Sequence, residues 1–350
     1  MKIAQMVHLG VSVPPEKYGG TERVVFHLVE ELVRVGHDVT LFASGDSSTS
    51  AKLVPMCDRA LTHTPFINRD ALLTQMLEHV WNVSHQFDII HSHLDFVGFP
   101  LARRSEIPVI TTLHGHLNAP ELTKVYREFW EIPLVSISYA QRAPFVYNNW
   151  KANVYHGIPV DLYQFHSKPQ GYFAFIGRMS PEKSPDVAIR IAQQLGMPLR
   201  IAAKVDPVDR EYFETEIAPL LADPLIQFIG EISDREKGEF LGNACAVLCP
   251  HRPESFGLVL IEALACGTPV VTYHHGSFPE LISHETTGFL CRDEHEMAQA
   301  ARRVGEIDRR RCRKAFDERF TAERMAKEYV QLYERMVQEA SVNESFSSDE

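Results

Sequence analysis

The sequence predicts an α/β protein built from two doubly wound, Rossmann-like domains. Short apolar runs alternate with amphipathic stretches of helical spacing, and the same alternation restarts after Asp161. Alternating β and α segments favour parallel sheets with helices on both faces. The chain has 350 residues, which leaves room for two domains of roughly 150–180 residues each.

The first half contains five predicted strands and two predicted helices. Apolar residues recur at helical spacing from Val24 to Val35, and Gly36 is predicted to end that helix. The strands are Lys2–Leu9, Val39–Ala43, Asp88–His91, Val109–Leu113 and Leu134–Ser138, and the helices are Thr21–Val35 and Ala71–Val83.

The second half repeats the pattern with five more strands. These are Tyr172–Ile176, Leu199–Ala203, Ile226–Ile229, Ala246–Cys249 and Pro269–Tyr273. The predicted helices are Pro185–Leu195, Glu211–Leu221, Asp234–Leu241, Phe256–Cys266 and Ala322–Ala340. A basic run at residues 309–314 reads as a solvated helix face.

These segments predict four regions along the chain. An N-terminal domain covers residues 1–165 and a C-terminal domain covers 166–325. A helix at 326–340 is expected to cross back to the N-terminal domain. The polar, acidic residues 341–350 predict disorder.

The composition argues against several partners. The net charge of -11 disfavours nucleic acid and anionic lipid, which both attract clustered Lys and Arg. The small cluster of Lys124, Arg127 and Trp130 is weak support for membrane association. No run of about 18 apolar residues is present. Six cysteines without a CxxC pair indicate reduced thiols, so a soluble, cytoplasmic protein is expected.

Two loops that follow predicted strands carry features of an anion site. Gly19 and Gly20 precede a helix, where backbone N–H groups approach an anion easily, although the spacing is not GxGxxG. The alternative is a plain helix entry with Thr21 as N-cap. Further along, Arg178 and Lys183 flank a strand end and would grip phosphate, or else they are two solvated surface cations.

The segment from Pro253 to Gly267 is the most informative part of the sequence. Ser255 is expected to cap a helix, so that the amides of Phe256, Gly257 and Leu258 face a phosphate at the positive end of the dipole.

Two glutamates in the same segment could accept hydrogen bonds from the hydroxyls of a bound sugar or ribose. Glu262 is flanked by apolar residues, where a carboxylate is costly unless it is paired or hydrogen-bonded, and a ribose diol would satisfy it. Glu254 precedes the helix and would accept hydrogen bonds from sugar hydroxyls. The alternative leaves Glu262 facing solvent and Glu254 as a surface acid.

These motifs together resemble the retaining family 4 glycosyltransferases of GT-B fold. Glu254 and Glu262, with seven residues between them, match the family's EX7E motif. His156 stands where the family's interdomain turn has asparagine. The other matching segments are 18–22, 88–93, 112–115, 156–161, 177–183, 228–232, 265–271 and 288–290, so that the resemblance covers roughly residues 1–330.

The resemblance implies two domains facing across a cleft and a donor site that needs no metal or other cofactor. Arg178 and Lys183 would bind the donor diphosphate, helped by the backbone at Gly257 and Leu258. Glu254 would hold the donor sugar and Glu262 the ribose. The remaining donor contacts would be Gly19 and Gly20 over the phosphates and Gly230, Glu231 and Ile232 at the base.

The resemblance also places His114 beside the reacting carbon, as a catalytic residue, with His93 and Asp95 on the acceptor side. The alternative for His114 is an ordinary buried histidine at a strand end. His91 and His93 point the same way from a strand, which would allow zinc, but no third ligand follows at a firm spacing.

The expected reaction is therefore hexosyl transfer with retention from a nucleotide sugar, most often a UDP-sugar. The acceptor would be a sugar, a lipid-linked or a small-molecule hydroxyl. No second carboxylate is placed to act as nucleophile, so the departing phosphate would take the acceptor proton. The alternatives are a nucleotide-sugar epimerase or hydrolase, and a non-catalytic protein that binds a nucleotide sugar.

Overall fold

The computed structural model describes residues 1–17, 19–63 and 68–347, which form two compact units. The first unit contains Met1–Gly157 and the chain from Ala322 onward, and the second contains Ile158–Thr321. The chain changes unit after Gly157, upstream of the junction expected at residue 165. The last helix belongs to the first unit, as the sequence predicts.

The first unit is built on a seven-stranded parallel sheet of order β3-β2-β1-β4-β5-β6-β7. The central strands are buried on both faces, as expected for a parallel sheet covered by helices. The strands are β1 (Lys2–Met6), β2 (Asp38–Ala43), β3 (Lys52–Pro55), β4 (Ile89–Ser92), β5 (Val109–Thr112), β6 (Leu134–Ser136) and β7 (Trp150–Asn153).

Helices flank this sheet. In the helix that follows β1, a stripe of apolar side chains from Val24 to Leu32 is buried. Gly36 follows with a φ of 91°, so it ends the helix in the left-handed conformation predicted for it. The helices of this unit are α1 (Gly20–Arg34), α2 (Arg69–Asn82), α3 (Phe99–Ala102), α4 (Leu122–Glu128) and α12 (Ala322–Ser347).

Helix α12 packs against α1 and buries Tyr329 and Tyr333. It continues to Ser347, whereas the sequence predicts disorder from residue 341. The segment 341–347 contains no glycine or proline to end a helix, and Ser341 Oγ donates to Val337 O one turn back. Residues 348–350 lie outside the described chain. Within the described segments, no helix is long and apolar enough to cross a membrane.

The second unit is built on a six-stranded parallel sheet of order β10-β9-β8-β11-β12-β13. Its strands are β8 (Phe173–Arg178), β9 (Leu199–Lys204), β10 (Ile226–Gly230), β11 (Ala246–Cys249), β12 (Val270–Tyr273) and β13 (Gly288–Cys291). All ten predicted strands are present in the described residues, β11 with the predicted bounds and the others with one or both ends shifted, and β3, β7 and β13 were not predicted. The predicted α/β class with two Rossmann-like units is confirmed.

The predicted helix Glu211–Leu221 is broken into short pieces. A helical turn at Arg210–Tyr212 widens over Phe213–Ile217 and tightens over Ala218–Ala222, because Pro219 has no N–H for a regular helix. The helices of the unit are α5 (Pro185–Leu195), α6 (Arg210–Tyr212), α7 (Asp234–Gly242), α8 (Leu258–Ala265), α9 (Phe278–Leu281), α10 (Glu294–Arg302) and α11 (Arg309–Arg319).

The basic run at the start of α11 is only partly a solvated face. Arg310 and Arg311 are exposed as predicted, but the prediction is wrong for Arg309, which is 8% exposed. The Arg309 guanidinium donates to the carbonyls of three residues and to Thr268 Oγ1. It therefore satisfies backbone acceptors that would otherwise be buried without partners.

Each sheet reverses its strand order once, between β1 and β4 and between β8 and β11. Ligands of doubly wound proteins bind at the carboxyl ends of the strands beside such a switch point. His93 follows β4, Lys183 follows β8, and His251 and Glu254 follow β11. Several predicted site residues thus lie where this fold binds its ligands.

Candidate functional site

In the second unit, the loops after β8 and β11 meet through Lys183 and Glu254. Lys183 Nζ donates to Glu254 Oε1 over 2.6 Å. A Cβ atom added to Gly177 would lie 3.7 Å from Lys183 Cγ, so the Lys183 side chain passes close to the end of β8. Arg252 N also donates to Glu182 O, which joins the two loops through their backbones.

Glu254 is held in place from the other side by the turn before α9. Ser277 Oγ donates to Glu254 O over 3.0 Å. A Cβ atom at Gly276, whose φ is 54°, would lie 3.1 Å from the same carbonyl oxygen. Only glycine fits this contact comfortably, so the turn and the glutamate pack as one piece.

The carboxylate of Glu254 is held in its ionised form. Burial alone would raise its pKa, but His251 and Lys183 more than offset burial, and the pKa falls to about 2. His251 Nδ1 lies 2.5 Å from Glu254 Oε1. Burial lowers the pKa of His251, so the neutral ring donates its Nδ1–H, and Lys183 is the charge that balances Glu254.

His251 was not identified as a site residue from the sequence, and it is almost fully buried. Because Nδ1–H donates to Glu254, the other ring nitrogen, Nε2, is left as an acceptor. That atom is buried and has no hydrogen-bond partner among the residues that the structure describes. Its position two residues after β11 was the only signal in the sequence.

Arg178, at the end of β8, is surrounded by acids. Its guanidinium lies 2.8 Å from Glu182, 3.6 Å from Asp206 and 4.0 Å from Asp209. The side chain is 23% exposed. Both cations predicted to grip a diphosphate are therefore paired with carboxylates of the same unit.

Helix α8 begins later than the sequence predicts. Gly257, not Ser255, is its N-cap, with a φ of 111°, and Leu258 is the first helical residue. The prediction that Ser255 caps the helix, with Phe256 in its first turn, is wrong. The φ of Gly257 is in the region that favours glycine, and an added Cβ would lie 3.2 Å from Phe278. The first-turn amides thus begin at Leu258.

Glu262 lies inside α8 and is 3% exposed, as its apolar neighbours predict. Its Oε1 accepts a hydrogen bond from Lys237 Nζ over 2.9 Å, and the same ammonium lies 3.3 Å from Asp234. Lys237 was not identified from the sequence, since it comes from α7. A buried ion pair therefore provides part of the compensation that the sequence assigned to a ribose.

The last residue of β10 and the loop after it contain the three residues predicted to meet a base. Gly230 has a φ of 75° with no atom within 4 Å of an added Cβ, and Glu231 is exposed. Ile232 is half-buried, and Ser233 then caps α7 in a capping box with Glu236. The end of β10 is thus an open turn followed by a firmly fixed helix.

In the first unit, the glycine loop leads directly into α1. Gly19 is the N-cap and Gly20 is the first helical residue, so Thr21 is not the N-cap. A Cβ atom at Gly19 would lie 2.7 Å from Pro15 Cβ, which only glycine avoids. Tyr18, the first residue of the resembling segment, lies outside the described residues.

His93 and His114 meet in the first unit, as their places after adjacent strands imply. His93 Nδ1 lies 2.9 Å from His114 Nε2, and the His114 ring stacks on that of His156 at 5.3 Å and 19°. Burial lowers the pKa of His114 to about 4, although Asp95 opposes the shift. Burial also lowers the pKa of His93 and of His156 well below the ordinary value, so all three rings are neutral at pH 7.

The loop that carries His114 is fixed by Gln141, which was not predicted. Gln141 Nε2 donates to Leu113 O and Gly115 O, both over 2.9 Å, so it clamps the backbone on either side of the histidine. Asp95 adopts a φ of 50°, which non-glycine residues rarely do, and it faces His8 at 3.8 Å.

Metal binding was the alternative for the histidines. Both ring nitrogens of His91 and both of His93 lie within hydrogen-bond distance of other side chains. In the described part of the chain, no three His, Cys, Asp or Glu side chains are placed to share a metal ion.

Two family models match most of the chain between them. Residues 164–319 match the model of glycosyl transferases group 1, and residues 18–171 match that of glycosyltransferase family 4. The chain is 26% identical over 343 residues to the D-inositol 3-phosphate glycosyltransferase of Mycolicibacterium smegmatis, across 83% of this chain and 78% of that protein.

Solved structures share the fold. The sucrose-phosphate synthase of Thermosynechococcus elongatus matches with a TM-score of 0.80 at 20% identity, over 96% of this chain and 98% of that one. HepE of Anabaena, solved with UDP and glucose, matches with a TM-score of 0.71 at 18% identity, over 95% and 98% of the two chains. The two family models together span residues 18–319. The chain therefore belongs to the family 4 glycosyltransferases of GT-B fold.

Proposed function

We propose that this glycosyltransferase moves a hexosyl group from a UDP-sugar to an acceptor hydroxyl with retention at the anomeric carbon. The observation that carries the proposal is the contact of Lys183 with Glu254 beside the switch point of the second sheet. A carboxylate suited to sugar hydroxyls and a cation suited to phosphate lie together there, as the two sides of a sugar–phosphate bond require.

The diphosphate of the donor is assigned to Arg178, Lys183 and the first turn of α8 at Leu258. Arg178 and Lys183 are paired with carboxylates, so a diphosphate would have to replace those partners. The positive end of α8 adds to the attraction. Two cations and a helix end can neutralise a leaving diphosphate, which supports a metal-independent reaction.

The sugar and the ribose are assigned to the two glutamates. Glu254 is ionised and partly exposed, with 21% of its side chain accessible, so it can accept hydrogen bonds from hydroxyls of the donor sugar. Lys237 donates to Oε1 of Glu262. We therefore assign a ribose hydroxyl to Oε2 alone. The open turn at Gly230, Glu231 and Ile232 is assigned to the base.

The proposed step exchanges one bond at the anomeric carbon and moves one proton. The acceptor oxygen bonds to the anomeric carbon as the bond from that carbon to the diphosphate oxygen breaks, and the acceptor proton passes to the departing phosphate. Attack from the face that the diphosphate leaves gives retention. With a pKa of about 4, His114 is too weak a base to take that proton at pH 7, so we assign it a hydrogen bond to a substrate hydroxyl.

The acceptor side is assigned to the first unit. Both ring nitrogens of His93 are engaged by Gln5 and His114, so His93 would act through His114 and not touch the acceptor itself. Asp95 has 38% of its side chain exposed and remains a candidate contact. The acceptor would be a sugar, a lipid-linked or a small-molecule hydroxyl.

A thermal-shift panel with UDP, GDP, ADP and their glucose conjugates tests the donor. A ligand that binds only the folded protein stabilises it by about 2.7 kcal/mol at a hundred times its dissociation constant. UDP and UDP-glucose are expected to raise the unfolding temperature most. A shift with GDP or ADP alone would overturn the choice of base, and no shift with any nucleotide would overturn the donor class.

A further inference from the structure

A continuous chain of hydrogen-bonded side chains is buried in the first unit. It starts at the candidate residue His114 and ends on helix α12. Its members, in order of contact, are His114, His93, Gln5, Tyr333, His91, Thr112 and Tyr329. Most of these side chains were not identified from the sequence, because they come from three strands, the loops after two of them and a distant helix.

The first half of the chain joins His114 to α12. His114 Nε2 lies 2.9 Å from His93 Nδ1, and His93 Nε2 lies 2.9 Å from Gln5 Oε1. Gln5 Nε2 then donates to Tyr333 Oη over 3.2 Å. Gln5 is fully buried, so water cannot replace these partners.

The second half returns from α12 to the sheet. Tyr333 Oη lies 2.6 Å from His91 Nδ1, and His91 Nε2 lies 2.7 Å from Thr112 Oγ1. Thr112 Oγ1 lies 2.8 Å from Tyr329 Oη. Since Gln5 Nε2 donates to Tyr333, the tyrosine hydroxyl is free to donate to His91.

The amide of Gln5 determines where each proton lies. A carbonyl oxygen can only accept, so His93 carries its proton on Nε2. A neutral imidazole with a proton on Nε2 has a bare Nδ1, which accepts from His114 Nε2–H. His114 is then left with a bare Nδ1.

That remaining nitrogen of His114 is an unused acceptor. It is inaccessible to solvent and has no hydrogen-bond partner in the segments that the structure describes. Stacking on His156 at 5.3 Å fixes the plane of the ring. A buried polar atom without a partner is uncommon, and at a binding site it indicates an atom whose partner belongs to the ligand.

We propose that Gln5 and His93 are positioning residues that hold His114 in its Nε2–H tautomer, so that Nδ1 accepts a hydrogen bond from a substrate hydroxyl. The identity of the hydroxyl rests on the proposed glycosyl transfer, but the tautomer does not. Turning the Gln5 amide over would reverse every donor and acceptor and place the proton of His114 on Nδ1. Measuring the tautomer of His114 therefore distinguishes the two orientations of the Gln5 amide.

The test is ¹⁵N NMR of the full chain labelled at histidine, with the His114 signals assigned by their loss in His114→Gln. The Nε2–H form is expected in the unaltered protein. Gln5→Met removes the acceptor for His93 and is expected to give His114 a mixture of tautomers. Gln5→Glu keeps an acceptor there and is expected to restore the Nε2–H form.

Thr112→Val is the matched control, because it breaks the same chain at its far end. It is expected to leave the tautomer of His114 unchanged. An Nδ1–H form in the unaltered protein, or an unchanged tautomer in Gln5→Met, would overturn the proposal.

Activity provides a second reading. Gln5→Met is expected to lower kcat about tenfold with little change in KM, since one hydrogen bond to the substrate is lost. Equal losses in Gln5→Met and Thr112→Val would point to a general structural effect and contradict the positioning role. If no transfer occurs with any acceptor, the proposed function fails while the tautomer result stands.

Discussion

Lys183 Nζ and Glu254 Oε1 lie 2.6 Å apart in the loops that follow β8 and β11. The two groups assigned to opposite sides of the sugar–phosphate bond are thus in direct contact with each other. A diphosphate that draws Lys183 away would free Glu254 for the sugar, so the ion pair links the two parts of donor recognition.

Glu254→Gln is expected to reduce sugar transfer about ten- to a hundredfold, because a hydrogen bond to a charged group contributes about 1.5–3 kcal/mol. The measurement is the steady-state rate with the donor chosen by the thermal-shift panel. Glu214→Gln, at an exposed position of the same unit, is the control. Near-normal transfer by Glu254→Gln would contradict the assignment.

The same carboxylate is expected to make stability fall in acid. The pKa of Glu254 is lowered to about 2 from an ordinary value of 4.5. Its contribution, at most about 3 kcal/mol, is complete above the ordinary value and disappears as the pH falls toward the lowered one. The unfolding temperature of the wild type should therefore fall more steeply between about pH 5 and pH 3 than that of Glu254→Gln. If the unfolding temperatures of the wild type and of Glu254→Gln fell in parallel with pH, the ionisation of Glu254 would not contribute to stability.

Lys237→Met is expected to destabilise the protein by about 3 kcal/mol, because it leaves the buried carboxylate of Glu262 without its partner. The double variant with Glu262→Leu removes both charges and should recover most of that loss in thermal unfolding. Its affinity for nucleotide should remain lower than that of the wild type, since the proposed ribose contact is gone. A double variant as unstable as the single one would contradict the ion-pair explanation.

Gly257→Ala is expected to cost about 1–3 kcal/mol and to weaken nucleotide binding, because its φ of 111° is strained for alanine. The new methyl group would also meet Phe278 at 3.2 Å. Gly305→Ala is the matched control, with no atom within 4 Å of its Cβ. Thermal unfolding with and without nucleotide measures both effects. Similar behaviour of the two variants would mean that the N-cap tolerates a side chain.

Arg309→Met is expected to destabilise the second unit by about 3–5 kcal/mol. The buried carbonyls of Ala244 and Gly242 and the hydroxyl of Thr268 would lose a charged donor. Arg310→Met, at the exposed neighbouring position, should change the unfolding temperature little. Equal effects of the two substitutions would contradict the buried role of Arg309.

Much of the fold could be predicted because local patterns carry it. The apolar stripe of α1, the glycine after it and the buried run of β11 each depend on neighbours within a few residues. The strands that were missed are short, and β3 and β7 are only half-buried at the edges of their sheet. The sequences of β3 and β7 lack the apolar character that identifies a central strand.

The candidate site was only partly predictable for a related reason. Glu254 and Glu262 are identified by their spacing, but their partners Lys183 and Lys237 come from other loops and helices. The late start of α8 follows from the left-handed φ of Gly257, which the favourable N-cap residue Ser255 conceals. Contacts between distant segments depend on packing, which no local pattern records.

The return of the chain to the first unit has a consequence for biosynthesis. Tyr329 and Tyr333 leave the ribosome only after the whole second unit has been made. Yet Tyr333 completes the hydrogen bonds of Gln5 and His91, and Tyr329 completes that of Thr112. Until α12 has been synthesised, the side chains of Gln5 and His91 lack these hydrogen-bond partners. The first unit begins to be synthesised first but can complete its fold only last. A protein shortened before Tyr329 would lack the side chains that hydrogen-bond to β1 and its neighbours.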